Sequence, residues 1–181
     1  TEEEFHKANC ISIKNLILEC QQTTISRFIN ISTPSIYFDF KNKLGVAETD
    51  KLPKTFVNEY AKTKYEAEKL LELSGLTYIT LRPRALIGRG DTVIMPRLIK
   101  ANQEGRLKIM GKGKNIVDLT SVKNMVVAIK LAIVTEKTNA NTIYNISNGE
   151  PVLLWNKINK ILCLLNFKEI HKSIPYPILY F

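Results

Sequence analysis

Asn58-Glu59-Tyr60-Ala61-Lys62-Thr63-Lys64-Tyr65-Glu66-Ala67-Glu68-Lys69-Leu70-Leu71 predicts an amphipathic helix that carries a Tyr and a Lys one turn apart near its start. Residues i and i+4 share a helix face, so the phenol of Tyr60 and the ammonium of Lys64 can point into one site. A phenol left alone is a poor acid–base group, with a reference pKa of about 10. A neighbouring positive charge favours the phenolate and makes proton exchange with an alcohol or ketone oxygen feasible near neutral pH. Carbonyl reduction needs that chemistry.

The separation alone does not select Tyr60, because Tyr37 with Lys41 and Tyr65 with Lys69 repeat it. Tyr37 follows a strand, in a loop where four residues do not make a helical turn. Tyr65 lies deeper in the helix and is rotated well away from Tyr60. The flanking segments carry the selection.

Ahead of this helix, Thr1 to Gln22 reads as another helix, with acidic residues in its first turn to suit the dipole. Phe5, Ala8, Ile13, Leu16, Ile17 and Cys20 give it an apolar face. Arg27 to Ser32 reads as a strand that breaks at Thr33-Pro34-Ser35, and a polar excursion from Lys41 to Lys54 follows. Gly75 closes the Tyr60 helix, and Leu76 to Leu81 is the next strand, stopped by Arg82-Pro83-Arg84. A loop over Leu86 to Asp91 precedes a helix from about Ile94 to Glu104. Arg106 to Met110 and Ile116 to Val122 read as two strands joined as a hairpin through Gly111-Lys112-Gly113-Lys114, a turn rather than a phosphate cradle. Asn124 is expected to cap a helix ending near Thr135. Thr142 to Ile146 is a strand, Leu153 to Leu165 a helix and Lys168 to Ile174 a last strand. Alternating helix and strand predict an α/β fold with a parallel sheet covered by helices.

The chain has 181 residues, 45% hydrophobic and 24% charged, which suits an ordinary globular core. Its net charge of +9 permits an acidic or phosphorylated partner. Twenty lysines are scattered and only six arginines accompany them, so a solvated basic surface is expected and no nucleic-acid groove. Cys10, Cys20 and Cys163 lack metal-ligand spacing and sit among apolar residues, so they are expected to be reduced, packed hydrophobes, with no metal site. The Thr1-Glu2-Glu3-Glu4 opening offers no signal peptide and lysines break the longest apolar runs, so a cytoplasmic protein without a clear membrane segment is expected. The glycosylation triplets at Asn30 and Asn145 fall in strands expected to be buried and are set aside.

Together these segments resemble the extended short-chain dehydrogenase/reductase family. The nearest branch is similar to 3β-hydroxysteroid dehydrogenases and 2-alkyl-3-oxoalkanoate reductases. Asn9 matches that family's structural Asn, and Ile31 to Tyr37 resembles the segment that ends in its catalytic Ser or Thr. Tyr60-Ala61-Lys62-Thr63-Lys64 follows at the family's interval. Leu81-Arg82-Pro83 through Gly88-Arg89-Gly90-Asp91 resembles its RP…GxGD stretch, with Arg89 in place of the usual Pro. Asn115 to Thr120 with Asn124, and Asn148-Gly149-Glu150-Pro151 with Trp155 and Asn159, resemble later segments.

The resemblance implies a set of roles. Tyr60 would exchange the proton, Lys64 would favour the phenolate and hold the nicotinamide ribose, and Thr33 would hydrogen-bond the reacting oxygen. Ser35 would face the substrate, as would Arg84, while Pro83, Arg84, Ala85 and Leu86 would line the nicotinamide of NAD or NADP. The bland alternative has Thr33 and Ser35 satisfying backbone groups at a strand end and Lys64 pairing with Glu68. The resemblance further implies the C-terminal part of a Rossmann-like doubly wound sheet within residues 1–92. Part of a small substrate domain would occupy 93–181, with about 115–147 returning to the sheet.

No glycine occurs before Gly45, so the glycine-rich turn that accepts a dinucleotide's pyrophosphate is not in this sequence. The expectation is therefore a piece or remnant of a longer enzyme, in which the Arg27 to Ser32 strand presents an apolar edge for a homo-oligomer or other association. The leading function is NAD(P)-dependent interconversion of a 3-hydroxy and a 3-keto group on a small hydrophobic substrate, sterol-like or acyl. A nucleotide-sugar epimerase or dehydratase is the second reading, with Arg84, Arg89, Arg97 and the glycine–lysine turn gripping a diphosphate. Dehydratases of the family carry acidic residues just after the Thr, where this chain has Pro34 and Ser35. A non-catalytic binding fragment is the third.

Overall fold

The computed structural model describes residues 1–136 and 140–175. They form two units, one of Thr1–Arg84 with Asn124–Ile146, the other of Ala85–Lys123 with the segment from Ser147 onward. Residues 85–92 and 115–123, expected with the sheet, therefore group with the second unit.

In the first unit a parallel sheet runs in the order β1-β2-β7, from β1 (Phe28–Ile31), β2 (Tyr78–Pro83) and β7 (Thr142–Ile146). Phe28 to Ile31 pair with Tyr78 to Leu81, and Ile79 to Pro83 pair with Thr142 to Ile146. All six β2 residues are buried, as befits the middle strand of a parallel sheet. β2 thus runs through Arg82 and Pro83 rather than stopping before them. Pro83, the strand's final residue, lies beyond the β1 pairing, which ends at Leu81, and is paired only with Ile146 of β7.

The first helix is not continuous α. Helix α1 (Glu2–His6) opens with a capping box between Thr1 and Glu4, a π turn spans Lys7–Ile11, and helix α2 (Ser12–Gln21) follows. Helix α3 (Glu59–Glu72) starts where the Asn58 side chain accepts from Ala61 N at 2.9 Å. Ile13 and Ile17 of α2, Ala67 and Leu71 of α3, and Tyr78 of β2 make the buried cluster beside the sheet. Arg27 donates to the carbonyls of Ala132 and Thr135 at 2.5 and 2.9 Å, a cation at the end of helix α5 (Val122–Val134). Asn124 lies inside α5. The Ser121 hydroxyl accepts from Lys123 N at 3.2 Å ahead of it, in the place expected for Asn124.

The second unit holds β3 (Leu86–Ile87), α4 (Ile94–Gln103), β4 (Ile109–Met110), β5 (Ile116–Val117), β6 (Thr120–Ser121), β8 (Val152–Leu153), α6 (Leu154–Leu164) and β9 (Ser173–Ile174). β3 pairs parallel with β6, where a loop was expected. The expected hairpin is absent: β4 pairs parallel with β9 and β5 antiparallel with β8. Within the Gly111–Lys114 turn, Gly113 approaches Trp155, which with Ile158 and Leu162 of α6 belongs to this unit's buried cluster. A Cβ on Gly113 would stand 2.8 Å from Ile109 Cγ2 and 3.5 Å from Trp155. No described helix is long and apolar enough to cross a membrane.

Candidate active site

Thr33, Ser35 and Lys64 meet at the carboxyl end of β1, the end at which open parallel sheets bind ligands. Thr33 follows β1 in extended conformation and caps a 3₁₀ turn over Pro34–Tyr37. Its hydroxyl accepts from Ser35 N at 3.2 Å and donates to the Ser35 hydroxyl at 3.1 Å. Thr33 thus does satisfy a strand-end backbone group, and its hydroxyl and that of Ser35 are held together. Ser32 beside it is buried, with its hydroxyl unpartnered.

Helix α3 delivers Lys64 to the same end. Its ammonium donates to the Ile31 carbonyl, the last of β1, at 2.6 Å. The expected alternative, Lys64 paired with Glu68, is not what the structure contains. Glu68 is buried and its carboxylate forks onto Arg82, with Nε to Oε1 at 2.9 Å and the second nitrogen to Oε2 at 2.5 Å. Burial pushes the Lys64 ammonium below the ordinary lysine range, against a smaller upward pull from the Glu68 charge. Tyr60 lies one turn ahead of Lys64 on α3, half-buried, its ring tilted against Phe5 with centroids 5.9 Å apart. Tyr60 and Thr33 are not hydrogen-bonded to each other.

The competing tyrosines are occupied. Tyr37 is buried, hydrogen-bonded to Arg82 and, at 3.3 Å, to the Asn145 side chain. Burial pushes its phenol up, the Arg82 charge notwithstanding. Tyr65 offers its ring to Lys69 at 5.7 Å, a cation–π contact. Asn9, in the π turn, donates to the Thr63 hydroxyl at 2.9 Å and so ties the first helix to α3.

Pro83 is buried and Arg84 exposed at the end of β2, where Arg84 N donates to the Ile146 carbonyl at 2.9 Å. Ala85 and Leu86 belong to the second unit. Ala85 has φ 40°, an uncommon left-handed conformation for a non-glycine residue, and its carbonyl accepts from Thr120 N at 3.2 Å. Sequence reasoning missed the Glu68–Arg82–Tyr37 group and the unpartnered Ser32. Their only signal was polar residues at positions that the sheet and helix patterns bury.

Comparison with known proteins gives consistent findings. The profile of the NAD dependent epimerase/dehydratase family matches residues 1–147. The chain is 32% identical over 186 residues to a 2-alkyl-3-oxoalkanoate reductase of Stenotrophomonas maltophilia, covering 98% of this chain and 56% of that protein. It is 32% identical over 189 residues to the human sterol-4-alpha-carboxylate 3-dehydrogenase, decarboxylating, covering 96% and 49%. Among solved structures, UDP-glucuronic acid 4-epimerase from Bacillus cereus in complex with NAD superposes with a TM-score of 0.75 at 24% identity, over 92% of this chain and 56% of that one. The dTDP-glucose 4,6-dehydratase DesIV from Streptomyces venezuelae gives a TM-score of 0.78 at 17% identity, over 97% and 55%. These structures share the fold, and the chain spans about half the length of the curated relatives it matches.

Proposed function

The chain belongs to the NAD dependent epimerase/dehydratase family, and from that premise we propose that it is the catalytic-helix half of an oxidoreductase acting on a 3-hydroxy or 3-keto group of a hydrophobic substrate. NAD or NADP, when bound, supplies or accepts the hydride, and the protein handles orientation and the proton. Tyr60 gives a proton to the ketone oxygen or takes one from the alcohol. The Lys64 ammonium, one turn along α3 from Tyr60, offers donors to the ribose. With substrate bound, the Thr33 hydroxyl turns its one proton from Ser35 to the reacting oxygen, with Ser35 beside it on the substrate side. Pro83, Arg84, Ala85 and Leu86 line the nicotinamide, and Arg84 reaches substrate. The unpartnered Ser32 hydroxyl and the Lys64 donors suit a polar group such as a ribose at the end of β1.

The observation that carries this reading is the 2.6 Å bond from Lys64 to the Ile31 carbonyl, two residues before Thr33. What favours the substrate class is the likeness to proteins named oxoalkanoate reductase and sterol dehydrogenase. Pro34 and Ser35, where acidic residues would serve dehydration, weigh the same way. The test is NAD(P)H-linked turnover of a 2-alkyl-3-keto acid, a 3-keto sterol and a UDP-sugar by the longest polypeptide the gene encodes. Tyr60→Phe should lower kcat on the keto substrates by about 10²–10⁴-fold. Turnover of the UDP-sugar alone would replace this reading with the epimerase one, for which the exposed Arg84 is a candidate diphosphate grip. Undiminished turnover in Tyr60→Phe would overturn the assignment of the proton to that phenol.

A further inference from the structure

On α1, the π turn and α3, three groups of different chemistry converge: the imidazole of His6, the thiol of Cys10 and the carboxylate of Glu66. Their donor atoms all lie within 4.8 Å of one another. Cys10 Sγ stands 3.3 Å from Glu66 Oε2, and His6 Nδ1 stands 3.9 Å from that same oxygen. A tetrahedral zinc ion, with bonds of about 2.3 Å to sulfur and about 2.0–2.2 Å to nitrogen and oxygen, holds its ligand atoms about 3.4–3.6 Å apart. The separations involving Glu66 bracket that spacing before any ion is bound.

The π turn over Lys7–Ile11 carries Cys10 and directly follows His6. It carries more residues per turn than an α turn, so side chains four apart lie closer to one line along the helix. His6 and Cys10 are four apart, and both face Glu66 on α3. Sequence spacing gave no metal motif because two ligands are local and the third lies 56 residues beyond Cys10. Burial differs in a useful way: Cys10 is buried, while the His6 and Glu66 side chains are 55% and 41% exposed. An ion entering from solvent meets nitrogen and oxygen first and sulfur last. A nearby cation, Lys62, is paired to Glu59 at 3.1 Å and Glu2 at 3.5 Å, which offsets its repulsion.

We propose that His6, Cys10 and Glu66 bind a zinc-class divalent cation as a three-ligand site with water in the fourth position, clipping the first helix to α3. Nitrogen, thiolate and carboxylate together select a borderline-soft ion over magnesium or calcium, which take oxygen. Binding replaces the S–H bond, now donated to Glu66, with a metal–sulfur bond and releases the proton to solvent. None of the three ligands is one of the proton-handling groups, and the site stands whatever the substrate proves to be.

The test is titration with Co²⁺, a spectroscopically visible stand-in for zinc, in a Cys20→Ser/Cys163→Ser background that leaves Cys10 as the sole thiol. One equivalent should produce a near-ultraviolet thiolate-to-cobalt band and the visible bands of a four-coordinate ion. Zn²⁺ should displace both and Mg²⁺ neither. Cys10→Ser should abolish the thiolate band, and His6→Ala and Glu66→Gln, at exposed positions where folding is not at risk, should each weaken Co²⁺ binding about tenfold or more. No thiolate band at one equivalent, or affinity unchanged in both exposed-residue variants, would overturn the site.

Discussion

At the scale of single residues, Lys64 combines a placement the sequence carried with a contact it did not. The i, i+4 spacing placed its side chain on the Tyr60 face, but a partner four residues on was the only local option, whereas the structure gives it the Ile31 carbonyl. Glu68 was unavailable because Arg82 holds it in the interior, a contact between elements that no spacing rule encodes. Burial makes the folded-state pKa of Lys64 lower than its unfolded value. Between those two values the unfolded chain binds more protons, so this residue makes stability rise with pH there. Below the folded value both states are charged and the desolvation cost is fully present. Thermal melts of wild type and Lys64→Met should therefore differ in a pH-dependent way. The difference in Tm, in the variant's favour relative to its value at high pH, should be largest near neutrality and shrink as pH climbs toward 10.5. A difference that is flat or grows with pH would contradict the burial account.

At the scale of elements, the Asn58 cap of α3 emerged only with the structure, while the helix itself was legible from its apolar spacing and the glycine after it. The short pairings were not. Two-residue strands such as β3 and β6 carry no measurable period, and β4 finds its partner in β9 rather than across the adjacent turn. The π turn also has no sequence signature of its own, and the Asn9–Thr63 bond accompanies it. What fixes α3 against β2 beyond apolar packing is the Glu68–Arg82 fork, 5% and 4% exposed. Removing one member leaves a buried charge alone, so Glu68→Leu should cost about 3–5 kcal/mol in urea unfolding. Glu68→Leu combined with Arg82→Met should recover most of that loss, since two apolar side chains replace a matched pair. Leu71, fully buried on the same helix, gives the comparison: Leu71→Ala should cost about 2–5 kcal/mol through its cavity, with no rescue by Arg82→Met. If the double variant were no better than Glu68→Leu, the fork would be acting through packing rather than charge.

At the scale of the whole molecule, the α/β architecture was readable because helix and strand alternate over long, strongly patterned segments, and the parallel β1-β2-β7 sheet agrees. The site's polar interior was not readable, because burial of Ser32, Glu68 and Arg82 depends on what the sheet brings over them. The sheet also leaves something open. Among the described residues β1 pairs only with β2, so one side of Phe28–Ile31 is an edge, and Ile31 is 37% exposed on it. Unpaired edges invite another strand, and a charge placed on the edge opposes that pairing. The 181-residue chain should therefore sediment as a concentration-dependent mixture, and Ile31→Lys should shift it toward monomer. It also contains no glycine before Gly45 and hence no glycine-rich turn for a pyrophosphate ahead of β1. NADH fluorescence titrations should accordingly find this chain a weak binder, with Kd well above the micromolar range, whether or not Ile31 is changed. Micromolar binding by the monomeric Ile31→Lys variant would show that the residues at the end of β1 hold a dinucleotide unaided. Binding that appeared only in the associated wild type would instead place part of the nucleotide site on the strand that occupies the edge.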